Sequence, residues 1–194
     1  IELVPGEPLT ETDLENVDAK DCTAFLVNLG ETSQGILYDA HLIARYCRDH
    51  NLFLIVDGIS SFLADPCDMT SMGADVLITD AQKALACPPG VAPMVLSPDA
   101  VERACSIKQP CMYLSLYDLL KNQEHGQTPF TPAVTTLLQI HERLSSIDAA
   151  GGAEVEVERC ANVAKDFRDR VSLSGLPFKM RLTSSISSSG ASTI

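Results

Sequence analysis

The stretch Asp39-Ala-His-Leu-Ile-Ala-Arg-Tyr-Cys-Arg-Asp-His-Asn51, followed without a gap by Leu52-Phe-Leu-Ile-Val-Asp57, decides the fold. Asp39 is a helix-capping residue type. Leu42, Ile43, Tyr46 and Cys47 then fall on one face at helical spacing. The pattern ends near His50-Asn51, and residues 52–56 are apolar without a break, as in a strand covered on both faces. Upstream, residues 23–29 (Thr-Ala-Phe-Leu-Val-Asn-Leu) form another run of strand length. Strand, helix and strand joined by short turns make a βαβ unit, which implies an α/β domain with a mainly parallel sheet flanked by helices. Residues 76–78 and 94–96 supply two more short strands.

The flanks are less regular. A helix is expected over residues 9–17, with Thr12 and Glu15 in the form of a capping box. Residues 30–35 read as a loop. From Pro98 onward the pattern turns helical, over 100–106, 114–122, 133–147 and 153–171, with Gly151-Gly152 separating the last two. Residues 173–176 read as a turn, and 178–182 as the first strand of a second domain. The Ser-rich stretch 182–194 suits a flexible tail or a strand start. The expected division is 1–148 for the large domain and 149–194 for a connecting helix and the start of a smaller one. The chain opens on Ile1, and the reading is of a central fragment.

Composition excludes several function classes. Lys plus Arg is 14 and Asp plus Glu 26, a formal net charge of −12 in 194 residues. That field repels polyanions, so no nucleic-acid or anionic-membrane partner is expected. Hydrophobic residues at 45% suffice for a core. No run approaches the ~18–20 apolar residues that span a bilayer, and no secretory leader pattern opens the sequence. The seven cysteines are scattered without a C-x-x-C pair. They read as reduced thiols of a cytoplasmic protein. The four histidines show no ligand spacing with them, so no metal is expected.

Two residues stand out for chemistry. Asp57 closes the buried run 52–56, and ligands of open α/β sheets sit at the carboxyl ends of strands. Its alternative reading is a cap for the turn that follows. Lys83 follows the strand 76–78 in Thr79-Asp-Ala-Gln-Lys-Ala-Leu-Ala-Cys-Pro-Pro-Gly90. Its alternative reading is an ordinary solvated side chain. Together, after neighbouring strands, they open onto one crevice.

At these residues the chain resembles a known family. Val56-Asp-Gly-Ile-Ser-Ser-Phe-Leu-Ala-Asp-Pro-Cys-Asp-Met69 and Gly73-Ala-Asp-Val-Leu-Ile-Thr-Asp-Ala-Gln-Lys-Ala-Leu-Ala-Cys-Pro-Pro-Gly90 are similar to the class V aminotransferases, pyridoxal 5'-phosphate (PLP) enzymes of fold type I. Gly30-Glu-Thr-Ser-Gln-Gly-Ile-Leu-Tyr-Asp39 upstream and Gln127-Thr-Pro-Phe-Thr-Pro-Ala-Val134 downstream match in the same order. The nearest members are those acting between 2-aminoethylphosphonate and pyruvate, or between alanine or serine and glyoxylate.

The resemblance implies roles. Lys83 carries the cofactor covalently and shuttles a proton. Asp57 pairs with the pyridine nitrogen and keeps it protonated. Ile59 lies against the ring, Thr32 hydrogen-bonds in the pocket, and Gln82 donates to the phosphate. Thr131 reaches the phosphate site of the neighbouring subunit, which implies a homodimer; read locally, it is a helix N-cap. The reaction implied is amino-group transfer from a small amine or amino acid to a 2-oxo acid such as pyruvate or glyoxylate. The alternatives are another fold type I reaction, a lyase or a desulfurase, or a non-catalytic folded or dimerisation module. A desulfurase needs a mobile cysteine, and Cys87 before Pro88-Pro89 is too constrained.

The chain departs from the family pattern at Gly30 (commonly His), Gln34 (commonly Thr), and Asp80-Ala81 (commonly Gly-Ser). Asp80 aimed at a phosphate ~5 Å away would cost on the order of a few kcal/mol at an effective dielectric near 20; turned away, it would cost nothing. The glycine-rich phosphate turn, the ring-stacking aromatic and the carboxylate-binding arginine of full-length members have no counterpart in this sequence.

Overall fold

A computed structural model describes residues 1–173. Its centre is a four-stranded sheet ordered β1–β4–β5–β6. The strands are β1 (Ala24–Asn28), β4 (Phe53–Asp57), β5 (Val76–Ile78) and β6 (Met94–Leu96). β1, β4 and β5 run parallel, and β6 closes the sheet antiparallel to β5. The expected mainly parallel α/β sheet is therefore present.

The βαβ unit forms because its sequence offers one apolar face to one layer. Helix α2 (Ala40–Asp49) starts at Asp39, whose carboxylate accepts the N–H groups of His41 and Leu42. Ile43, Ala44 and Cys47 of α2 are buried with Leu54 and Val56 of β4 in one core cluster. At roughly 1.5–3 kcal/mol for each large side chain, that burial holds the helix on the sheet. The opposite face of β4 is only half-buried, at Phe53, Ile55 and Asp57. This corrects the expectation of full cover on both sides. Phe53 is screened by the Arg103 guanidinium of α4 (Pro98–Ser106), 5.6 Å from its ring centre.

Other boundaries differ from the sequence reading. α1 (Glu11–Glu15) is capped by Thr10 and Asp13 rather than Thr12 and Glu15. Thr10 Oγ accepts the Asp13 N–H, and the Asp13 carboxylate accepts the Thr10 N–H at 2.8 Å. The reason is hydrophobic: with Thr10 as cap, Leu9 and Leu14 take the two staple positions, and both are buried in the main cluster. The stretch 30–35 is a small hairpin, β2 (Gly30–Glu31) paired with β3 (Ile36–Leu37). A short helix, α3 (Met69–Met72), had no sequence signal beyond Asp68, its cap.

The remaining helices are α5 (Leu116–Gln123), α6 (Val134–Ala149) and α7 (Ala153–Leu173). Gly151 and Gly152 between the last two have φ of 115° and 94°, a backbone that disfavours any side chain. Glu156 of α7 is buried and paired with Arg143 of α6 and with Arg159. The turn expected over 173–176, the strand over 178–182 and the Ser-rich stretch lie outside the described residues.

Candidate active site

The carboxyl ends of β1, β4 and β5 lie side by side. Asp57 is the last residue of β4, in register with Asn28 on one side and Ile78 on the other. Its Oδ1 accepts the Ile59 N–H at 2.9 Å, which fixes the carboxylate at the strand end. Among the described residues its other oxygen has no hydrogen-bond partner. The turn that follows is tightly fitted. A Cβ on Gly58 would stand 2.8 Å from Leu77 Cδ1 and 3.3 Å from Cys67 Sγ, so any side chain here must displace those neighbours.

Thr32 arrives from the hairpin after β1. The Glu31 carboxylate braces its loop by accepting from Ser33 N, Ser33 Oγ and Gln34 N. The Ser33 hydroxyl, chiefly, holds the Glu31 carboxyl below the usual carboxylate range. Thr32 Oγ lies 2.8 Å from Ser60 Oγ, joining the β1 loop to the β4 turn. Ser60 was not singled out from the sequence; its place in the turn Gly58-Ile-Ser-Ser-Phe62 was the available signal.

Lys83 follows β5 by five residues, on a loop pinned from below. Ala81, Leu85 and Cys87 are buried with Ile140 and Ile147 of α6. Gln82 and Lys83 consequently face outward and are exposed. Among the described residues the Lys83 ammonium has no hydrogen bond or ion pair. Cys87 donates its S–H to the Leu85 carbonyl at 3.4 Å from within that cluster, so it is no mobile thiol.

Asp80 is engaged on both oxygens. Oδ1 accepts the Ala81 N–H at 2.8 Å, and Oδ2 accepts the Gln82 side-chain amide at 2.6 Å. The Gln82 donor is therefore bound to a carboxylate of its own loop.

Thr131 stands apart. It is exposed and shares no hydrogen bond with the other candidates. It is also not the N-cap of α6: that position is Ala133, with no side-chain cap. The Leu137 N–H donates to the Ala133 carbonyl at 3.0 Å, so the helix starts two residues beyond Thr131.

Thus Thr32, Asp57, Ile59 and Ser60 are brought together, with the Lys83 loop leaving the adjacent strand. No cluster of three or more metal-ligating side chains occurs among the described residues. No helix among them is long and apolar enough to cross a membrane.

Comparison with known proteins matches the family model "Aminotransferase class-V" to residues 1–161. A 2-aminoethylphosphonate–pyruvate transaminase of Paraburkholderia phymatum is 34% identical over 158 residues, covering 79% of this chain and 42% of that protein. A soluble hydrogenase 42 kDa subunit of Anabaena cylindrica is 31% identical over 133 residues, 68% of this chain and 35% of that protein. Among solved structures, pyridoxamine–pyruvate aminotransferase from Mesorhizobium loti superposes with a TM-score of 0.85 at 26% identity, covering 97% of this chain and 49% of that one. The chain spans less than half the length of these relatives.

Proposed function

The chain belongs to the class V aminotransferase family, and from that premise we propose that the whole protein transfers an amino group from a small amine or amino acid to a 2-oxo acid, using PLP. Enzymes of this family use that cofactor. The observation that carries the proposal is Asp57 at the carboxyl end of β4 with the Lys83 loop leaving the neighbouring β5.

The ring end of the cofactor fits the residues present. Asp57 offers an oriented carboxylate with one oxygen unengaged among the described residues, the partner a protonated pyridine nitrogen needs. Lys83 offers an exposed amine with no competing partner among the described residues, suited to an aldehyde. When bound, the cofactor supplies an electron sink for the pair left on the substrate carbon. Lys83, freed from the cofactor, would carry the proton from that carbon to C4′ of the cofactor, as a general base and then a general acid. Ile59 offers an apolar contact for the ring, and Thr32 a hydroxyl already positioned by Ser60. Gln82 and a partner subunit's copy of Thr131 serve the phosphate end, which makes the working unit a homodimer. The relative from P. phymatum supports 2-aminoethylphosphonate as donor and pyruvate as acceptor; alanine or serine with glyoxylate is the neighbouring choice. Residues 1–148 would form part of the large cofactor domain and 149–194 the link to a smaller one. A cytoplasmic location completes the reading.

The burial of Cys87 disfavours the desulfurase alternative. To test the proposal, purified protein is mixed with PLP, reduced with borohydride and mapped by peptide mass. Label on Lys83, lost in Lys83→Ala, is the expected result. Label spread over Lys20, Lys108, Lys121 and Lys165 would count against it and favour a non-catalytic module. A screen of amine donors against pyruvate and glyoxylate then names the substrate pair.

A further inference from the structure

The phosphate end of the site does not match the ring end. An anion pocket needs donors that are free to turn toward the anion. The family resemblance implies two on the Lys83 loop, a hydroxyl at position 81 and the Gln82 amide, and the backbone N–H of residue 81 lies between them. Position 81 is alanine, so the hydroxyl is gone. The Ala81 N–H is shared between Asp80 Oδ1 at 2.8 Å and the Val91 carbonyl at 3.1 Å. The Gln82 amide donates to Asp80 Oδ2 at 2.6 Å, a short bond of the charge-assisted kind.

Asp80 cannot easily be carried out of the way. Ala81, next to it, has no exposed surface and packs under α6 with Leu85 and Cys87. Ala81 O also accepts the Cys87 N–H at 2.9 Å, closing the loop on itself. Asp80 is itself half-buried. Its backbone is fixed, and its carboxylate already has the partners it needs.

Building on the cofactor reading above, we propose that Asp80 is a specificity determinant: its carboxylate occupies the donors that the Lys83 loop offers to the phosphate end as an internal anion, so this loop adds little affinity for a phosphate on the pyridine aldehyde. A dianion entering there meets a fixed like charge and must take the Gln82 amide from a charged acceptor. An unphosphorylated pyridine aldehyde meets neither obstacle. The ligand class favoured by the loop is thus a pyridine aldehyde bearing a free hydroxymethyl group rather than its phosphate ester.

The experiment titrates wild type, Asp80→Asn and Asp80→Gly with pyridoxal and, separately, with PLP. Occupancy of Lys83 is read by borohydride trapping and peptide mass. The amine and aldehyde join as C=N with loss of water, and hydride reduces that bond. In wild type the two half-saturation concentrations should agree within about tenfold, roughly one 1.4 kcal/mol step. In Asp80→Asn, close in shape and without the charge, PLP should tighten at least about tenfold while pyridoxal stays unchanged. Asp80→Gly, which frees Gln82 completely, should do the same, with circular dichroism confirming the fold.

If Lys83 is labelled but neither substitution changes the ratio, or pyridoxal alone changes, the role of Asp80 is overturned and the cofactor reading survives. If neither aldehyde labels Lys83 in any of the three proteins, both are overturned.

Discussion

The hydroxyls of Thr32 and Ser60 lie 2.8 Å apart, across 28 positions of sequence. Thr32 belongs to the β2–β3 hairpin and Ser60 to the turn after β4. This bond and the Leu29 N–H donated to the Asp57 carbonyl at 2.9 Å tie two loops over the carboxyl end of the sheet. Neither loop has a large core of its own at that point. Ser60→Ala should therefore cost about 1 kcal/mol of stability. It should also lower trapping of the cofactor aldehyde at Lys83 severalfold. Thr32→Val should do the same, and the double variant should be no worse than either single one. Denaturant midpoints of the four proteins form the cycle that checks this.

Gly58 predicts a steeper effect. An added methyl would stand 2.8 Å from Leu77 Cδ1 and 3.3 Å from Cys67 Sγ, and Leu77 is buried in the core, so its side chain must repack to make room. Gly58→Ala should lose about 1–3 kcal/mol. Because Asp57 is adjacent, Lys83 trapping should fall with stability. Urea unfolding followed by fluorescence or circular dichroism measures the first.

The α6–α7 junction should be acid-sensitive. Arg159, through its hydrogen bonds to Glu156 at 2.8 and 3.2 Å, is the main cause holding that carboxyl below its ordinary value of 4.5, with Arg143 adding to it. A carboxyl lowered by folding contributes stability above pH 4.5, and that contribution is lost as pH falls through the lower, folded value. Glu156→Gln should remove this acid limb and destabilise at neutral pH by about 2 kcal/mol, allowing for the exposure of Arg159. Thermal midpoints measured from pH 3 to 7 would show a flattened profile in the variant; a parallel one would refute the assignment.

Thiol reactivity should divide the cysteines by place. Cys22, Cys105 and Cys111 are exposed. Burial pushes the thiols of Cys47 and Cys67 up to about 11 each. The thiolate is the reacting form, so a disulfide reagent at neutral pH should label the first three quickly and Cys47 and Cys67 only after unfolding. Timed labelling with peptide mapping reads this out.

Much of this architecture was legible because apolar runs are local signals. Residues 52–56, 76–78 and 94–96 announced β4, β5 and β6, and Leu42, Ile43, Tyr46 and Cys47 announced the inner face of α2. What escaped depends on partners distant in sequence or on side-chain direction. The antiparallel sense of β6 is set by its pairing with β5, which no residue of Met94–Leu96 encodes. The cap of α1 moved to Thr10 because burial of Leu9 and Leu14 outweighed a tidy motif. Of the proposed site, Asp57 and Lys83 were candidates as strand-end chemistry and Thr32, Ile59, Gln82 and Thr131 through the resemblance, and the structure groups Thr32 with Asp57 and Ile59 while leaving Thr131 apart. Ser60 and the grip of Asp80 on Gln82 were not legible, since both arise from how two side chains turn.

The two outer strands of the sheet have a consequence of their own. Leu26 of β1 is 71% exposed, and Met94 and Val95 of β6 are 42% and 54% exposed. Among the described residues no strand pairs with the outer margins of β1 and β6, and such margins lined with hydrocarbon act as templates for further strands. Concentrated solutions of this polypeptide should grow oligomers by sheet extension, visible in light scattering and in thioflavin fluorescence. A lysine substituted for Leu26 should slow that growth, because ammonium groups stacked along a seam repel one another.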